Sequence, residues 1–235
     1  MHGSHANLTV GRERSPMNWA LILNKKEFYT NLFQYQNNVD GGDIVDTHRF
    51  EIFSTDTCAT LHHKNRVAMN TLICKNFDDL ISENIELKQQ TDEGATFFPK
   101  RIPEDGAIDW NISATHIYNH IRAVTKPFDG AFTYKQGKKI TIWRASVFDS
   151  DSLGTQSSDS GIIQQIMSDN SFVVQTQRGT LLIHEYTTDG EVDLCIGDRF
   201  ESVSFESIYS NIEQRYHHID GGKEITVDYI KQFYE

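Results

Sequence analysis

The sequence predicts a mixed α/β chain: an α/β unit over residues 1–92, a small β-barrel of OB-like pattern over 93–204, and a helical tail over 205–235. Three observations carry this expectation. Strand-like segments from Tyr29 to Tyr35 and from Ile44 to Phe53 flank a glycine-containing turn. A helical pattern then runs from Asp56 to about Ile81, and from Gly130 onward five short alternating segments are separated by turn residues, the pattern of a small barrel.

In chain order, Ser15-Pro16 reads as a helix start, with Ser as N-cap and Pro in the first turn. Trp19, Ala20, Ile22 and Leu23 give that helix an apolar face ending near Asn24. In the longer helix Cys58, Leu61, Ala68, Leu72 and Ile73 fall near a 3.6-residue period, with a break expected around Lys75-Asn76. His62 and His63 are neighbours on it, point about 100° apart and cannot share one ion. Glu83 to Thr96 is polar and connects the two parts.

Ser113 caps a second helix that runs through Val124 and carries His116 and His120 at i, i+4. That spacing can bind zinc, but the Glu of an HExxH motif is missing and no third ligand is near, so no metal site is expected. The barrel strands are placed at Gly130–Tyr134, Lys139–Phe148, Gly161–Met167, Phe172–Thr176 and Gly179–Glu185. Residues 149–160, rich in Ser, Asp and Gly, read as a mobile loop, and the tail reads as two short helices around Gly221-Gly222.

The turn Asn37-Asn38-Val39-Asp40-Gly41-Gly42-Asp43 organises the first part. Paired glycines allow positive φ, so Asp40 can be held on a stiff support, as an acid/base or orienting carboxylate requires. The plain alternative is a solvated hairpin whose Asp and Gly only form the turn. Asp40, Asp43 and Asp46 recur every three residues like calcium ligands, but Ile44 and Val45 already begin a strand.

A 38% hydrophobic and 23% charged composition is that of a soluble globular protein, and no apolar run approaches the roughly 20 residues of a membrane span. Cys58, Cys74 and Cys195 lie far apart without CxxC spacing, which suits a reducing cytoplasm. The net charge of −11 argues against a nucleic-acid partner, because phosphate contact needs clustered Lys and Arg. From Thr155 onward five basic residues face fourteen acidic ones, so that half should repel RNA.

Four motifs in fixed order carry a resemblance. They are His2-Gly3-Ser4 with Leu8, Gly11, Arg12, Arg14, Ser15 and Pro16; the Asp40-Gly41-Gly42 turn; Lys100-Arg101-Ile102-Pro103 leading to Asp109-Trp110; and Arg122-Ala123 with Pro127 to Phe132. Over roughly residues 2–148 they resemble the folate-dependent formyltransferases, which include methionyl-tRNA formyltransferase and the amino-sugar N-formyltransferases. The sequence departs from the family pattern at Thr9, where Pro is usual, and at Glu13, where Gly is common.

The resemblance implies a Rossmann-like catalytic domain, of which 1–92 is the C-terminal portion, and 10-formyltetrahydrofolate as formyl donor with no metal. It implies His2 and Asp40 as catalytic residues, with His5 competing for the histidine role and a tag-like terminal run as the plain alternative. Trp19, Arg12 and Arg14 are carried over as substrate-binding, with a packed core position as the alternative for Trp19, and Val39 and Asp43 as donor-binding. Arg101, Asp109, Trp110 and Arg122 match family positions of structural character.

In such a site a neutral amine attacks the formyl carbon, the carbonyl oxygen gains negative charge and the amine loses a proton. A histidine beside a carboxylate can steady that charge or relay the proton. The family's Asn-x-His motif would place its Asn directly before Met1, so the chain is expected to be N-terminally truncated and inactive alone. An open sheet edge then leads to self-association, for example as a homodimer. The acceptor implied is a small-molecule amine, foremost on a nucleotide-linked sugar. Met-tRNA formylation, or a non-catalytic remnant acting as a binding module, are the alternatives.

Overall fold

The computed structural model describes residues 2–4, 10–37, 40–90, 96–149, 159–215, 223–224 and 230. Its first half contains β1 (His2–Ser4), β2 (Val10–Glu13), α1 (Pro16–Ile22), β3 (Glu27–Phe33), β4 (Ile44–Glu51), α2 (Cys58–Lys75), α3 (Phe77–Ser82) and β5 (Thr96–Phe98). β3 and β4 form an antiparallel hairpin, and β1 adds to the free side of β3.

Helix α1 is the pin of the molecule. Every residue from Asn18 to Ile22 is buried, so the helix meets solvent only at its first turn. The Asn18 side chain donates to the Ala123 carbonyl at 2.5 Å, and the Trp19 indole donates to the Pro99 carbonyl at 2.9 Å. Ser15 does stand at the N-cap, but in the left-handed region with φ 55, and its side chain caps nothing. The expected cap is therefore replaced by Pro16, which has no amide to satisfy and presets the first turn.

Thr57 caps α2 through a reciprocal pair with Thr60. The expected break at Lys75-Asn76 is present, and its cause is local: the Asn76 amide donates to the Leu72 carbonyl at 2.8 Å and to Asp46 at 3.0 Å, ending one helix before α3 begins.

After a short 3₁₀ turn at Pro103–Gly106, α4 (Ala114–Val124) begins at Ser113, whose hydroxyl accepts from the His116 amide. Five antiparallel strands follow, β6 (Ala131–Lys135), β7 (Lys138–Phe148), β8 (Ile163–Ile166), β9 (Phe172–Gln175) and β10 (Thr180–Thr188), in the order β6-β7-β10-β9-β8. Gln136 and Gly137, at φ 51 and 75, turn β6 into β7, as a tight hairpin requires. Strand pairing does not close this sheet into a barrel. Instead the 198–201 segment touches both edges: Glu201 donates to Tyr134 and Phe200 to Gly161, each at 2.8 Å.

The chain then turns back. Helix α5 (Phe205–Arg215) buries Phe205, Ile208, Tyr209 and Ile212, and β11 (Lys223–Glu224) pairs in parallel with β5, which also holds β2. The first of the two expected tail helices is thus α5, packed into the core with Tyr209 against Trp19. Where a second helix was expected, residues 223–224 are strand and the buried Ile230 is helical, and the remaining residues lie outside the described ones. Most of the loop expected at 149–160 also lies outside them.

Candidate active site

The turn after β3 is held from three sides. Gln34 donates to the Asp43 carbonyl at 2.9 Å, Ile44 and Lys88 exchange two backbone bonds of 2.8 Å, and the Gln90 side chain donates to the carbonyls of Asp40 and Gly42. The sequence assigned positive φ to the glycines. In the structure Asp40 itself has φ 50, whereas Gly42 is not left-handed. Aspartate tolerates this region better than most side chains because it can bond locally. Gly42 is required for another reason: a Cβ there would lie 1.8 Å from the Gln34 carbonyl oxygen.

The register of β1 pairs His2 with Asn31 and Ser4 with Tyr29. Residue 2 therefore sits at the end of β1 nearest the turn that carries Asp40. Opposite it, Asn31 is buried at 1% exposure and accepts from the Thr47 hydroxyl at 2.8 Å. Beside it Thr30, equally buried, donates to Asn65 at 2.6 Å. Sequence reading missed this buried polar row, although the signal was there in Thr30 and Asn31 interrupting the apolar alternation of a strand.

The other expected site residues are distributed over the first half of the chain. Arg12 lies in β2 opposite Phe97, Arg14 is exposed just before α1, and Asp43 is partly buried at the base of the turn. Val39 and His5 lie outside the described residues. Trp19 is 0% exposed, stacks on Phe98 at 5.3 Å between ring centres and lies under the Arg101 guanidinium, the packing of a core residue.

The helical histidines are not arranged as ligands. His116 Nδ1 engages the Ser113 hydroxyl at 2.8 Å, and His120 is buried, its pKa pushed down to about 3 by desolvation and by the nearby Arg101 charge. No group of three His, Cys, Asp or Glu is placed to hold a metal among the described residues. Asp109, expected to be structural, accepts from Ser202, from the Phe205 amide and from Asn111, tying α5 to the start of the second half. Trp110 is fully buried and donates to Thr133.

Residues 101–199 match the family described as "Formyl transferase, C-terminal domain". Over 147 residues, 63% of this chain, the sequence is 38% identical to the bifunctional polymyxin resistance protein ArnA of Wigglesworthia glossinidia brevipalpis. Over these stretches the chain resembles the formyltransferases. Among solved structures, an N-formyltransferase from Helicobacter canadensis, in complex with folinic acid and dTDP-3-aminofucose, is similar in fold at TM-score 0.60 and 18% identity, covering 77% of this chain and 64% of that one. HypX from Aquifex aeolicus, in complex with tetrahydrofolic acid, is similar at TM-score 0.59 and 14% identity, covering 74% of this chain and 29% of that one. The chain spans 22% of the length of ArnA. No helix among its described residues is long and apolar enough to cross a membrane.

Proposed function

We propose that this formyltransferase chain supports transfer of the formyl group of 10-formyltetrahydrofolate to a primary amine, foremost that of a nucleotide-linked amino sugar. The observation that carries the reading is the pairing of residue 2 with Asn31 at the end of β3 that feeds the Asp40 turn. A histidine with a neighbouring carboxylate is the pair an acyl transfer to an amine calls for, and His2 and Asp40 are taken as that pair.

In the proposed reaction the amine nitrogen forms a bond to the formyl carbon, and the bond from that carbon to folate N10 breaks. The attacking amine gives up one proton and N10 takes one up. His2 steadies the developing oxyanion or relays the proton, and Asp40, pinned at φ 50, orients the imidazole. Arg12, Arg14 and Asp43 are carried as residues bordering the two substrates, and a cytoplasmic setting suits three cysteines that form no disulfide.

The choice of sugar over tRNA rests on charge. An acceptor RNA must be met by clustered cations, and the acidic C-terminal half offers the opposite. The related enzyme from Helicobacter canadensis was solved with a dTDP-linked aminofucose, which supports the same acceptor class here.

The test is made on the polypeptide encoded by the complete reading frame. With 10-formyltetrahydrofolate as donor, release of tetrahydrofolate is followed against a panel of nucleotide-linked amino sugars and Met-tRNA. Turnover with a sugar and none with the tRNA is expected. Turnover with Met-tRNA alone would reverse the choice of acceptor, and no turnover with any amine would contradict formyl transfer.

A further inference from the structure

At the other end of β4 from Asp40 lies a groove that the reading above does not use. Two adjoining cavities of about 340 and 350 Å³ share Thr55, Tyr118, Arg122 and Ser146, and together run between the loop after β4 and the outer surface of β7. β4 spans eight residues, so this groove lies roughly 25 Å along the sheet from the Asp40 turn.

Its floor holds an unusual cation. Arg122 is 4% exposed, and its guanidinium donates to the carbonyls of Phe53 and Asp56, both at 3.0 Å, and to the Asn119 side-chain oxygen at 2.9 Å. All three acceptors are neutral. Among the described residues no carboxylate lies within ion-pair distance of Arg122, although buried charges are normally paired. Beside it Asn119, 1% exposed, has a side-chain NH₂ with no partner. A buried donor left unmade costs about 1–3 kcal/mol, so the Asn119 amide calls for an acceptor that the chain itself does not supply.

The rim adds positive charge from both halves of the molecule. Lys26 lines one end and Arg144 the other, with His184 beside Arg144 as a polar imidazole. The last two are set by a paired irregularity in the sheet. The register passes from Ile183–Ala145 to Glu185–Arg144 to Tyr186–Ile142, so it skips His184 on β10 and then Trp143 on β7, and both skipped residues line the groove. Bulges of this kind re-aim side chains and cluster at functional sites. His184 is held by the Ser146 hydroxyl at 2.8 Å, and its proton affinity is lowered by burial and by Arg144.

The neighbouring carboxylates are already satisfied. Asp56 is paired with Lys64, Glu185 with Lys126, and Asp169, nearest to His184 in charge, accepts from the Ser171 amide and hydroxyl. In a chain of net charge −11, Lys26, Arg144 and the buried Arg122, together with the unpartnered Asn119 amide, favour an anion in this groove.

We propose that the groove is a binding site for a small molecule carrying a diphosphate, with Arg122 and Asn119 donating at its centre and Lys26 and Arg144 engaging its two ends. Cations at both ends fit two linked anionic groups better than one, and the volume is that of a small-ligand site. The site is independent of formyl transfer, and its test does not involve that activity.

Pyrophosphate is titrated into the full chain at about 50 mM salt, where electrostatic attraction is strong. The His184 imidazole resonances, assigned by their loss in His184→Gln, report the site. A saturable shift is expected, weakened at least about tenfold in Arg144→Ala, which is 1.4 kcal/mol, and unchanged in Asp40→Asn. Because Arg144 is exposed, that variant leaves the fold intact by circular dichroism. Absence of a saturable shift, a shift that survives Arg144→Ala together with Lys26→Ala, or orthophosphate binding as tightly as pyrophosphate would overturn the assignment.

Discussion

Arg215 donates to both carboxylate oxygens of Asp105, at 2.5 and 2.7 Å, across 110 positions of sequence. Asp105 is 2% exposed and also accepts from the Ile102 amide. This ion pair fastens α5 to the 3₁₀ turn at Pro103–Gly106, and through Tyr209 and Trp19 to the pin helix α1. Arg215 is partly exposed, so solvent tempers the attraction. Replacing it with Met leaves the carboxylate buried with one donor, and a loss of about 1–3 kcal/mol is expected in urea unfolding. A variant as stable as the parent would show that α5 is held by its apolar face alone.

Gly42 and Gly137 separate steric demand from conformational demand. A Cβ at Gly42 meets the Gln34 carbonyl at 1.8 Å, whereas at Gly137, with φ 75, nothing lies within 4 Å. Gly137→Ala should cost about 1 kcal/mol through backbone strain. Gly42→Ala should cost more, about 1–3 kcal/mol for overpacking, and should expose the Gln34 amide to hydrogen exchange as the turn opens. Equal costs at the two positions would contradict the close packing of the Asp40 turn.

His120 predicts a pH dependence with a definite sign. Its folded pKa of about 3 lies below the ordinary 6.5, so the unfolded chain binds a proton that the folded chain refuses. This contribution to stability is full above pH 6.5 and is lost as pH falls from there toward 3, with a limiting slope of about 1.4 kcal/mol per pH unit. Comparing urea unfolding at pH 7 and pH 5 checks it: His120→Phe should lose less stability than the parent over that interval.

Thiol labelling distinguishes the three cysteines. Cys58 is buried, donates to the Thr125 carbonyl and has its pKa pushed up to about 11 by desolvation, while Cys74 and Cys195 are exposed. At pH 8 a maleimide should modify two thiols in the folded protein and the third only on unfolding. Rapid modification of Cys58 would place the start of α2 in solvent.

Much of this architecture was legible in the sequence because it is encoded locally. The hairpin bounds fell within two residues of β3 and β4, since Gly41 and Gly42 punctuate two alternating runs. The helix break at Asn76 was visible because an Asn there competes for backbone partners. What stayed hidden depends on distant partners. β11 is two residues long and finds β5 only in three dimensions, and an alternating pattern cannot reveal whether a sheet closes by strands or, as here, is bridged by the 198–201 segment.

At the site, Asp40 was marked by its turn and His2 by its motif, but Trp19 could be read either as cleft or as core until its burial was known. The diphosphate groove left no trace in composition. Its members come from α4, β7 and a bulge in β10, and a bulge has no sequence signature of its own.

The most direct measurement of the central claim is a double-mutant cycle at residues 2 and 40 in the formyl-transfer assay, on the polypeptide of the complete reading frame. His2→Gln and Asp40→Asn should each lower kcat by about 10²–10³, and the double variant should be no slower than the slower single one, because the two groups act as a unit. Full activity in either single variant, or losses that multiply in the double, would contradict a joint role for His2 and Asp40 at the end of β3.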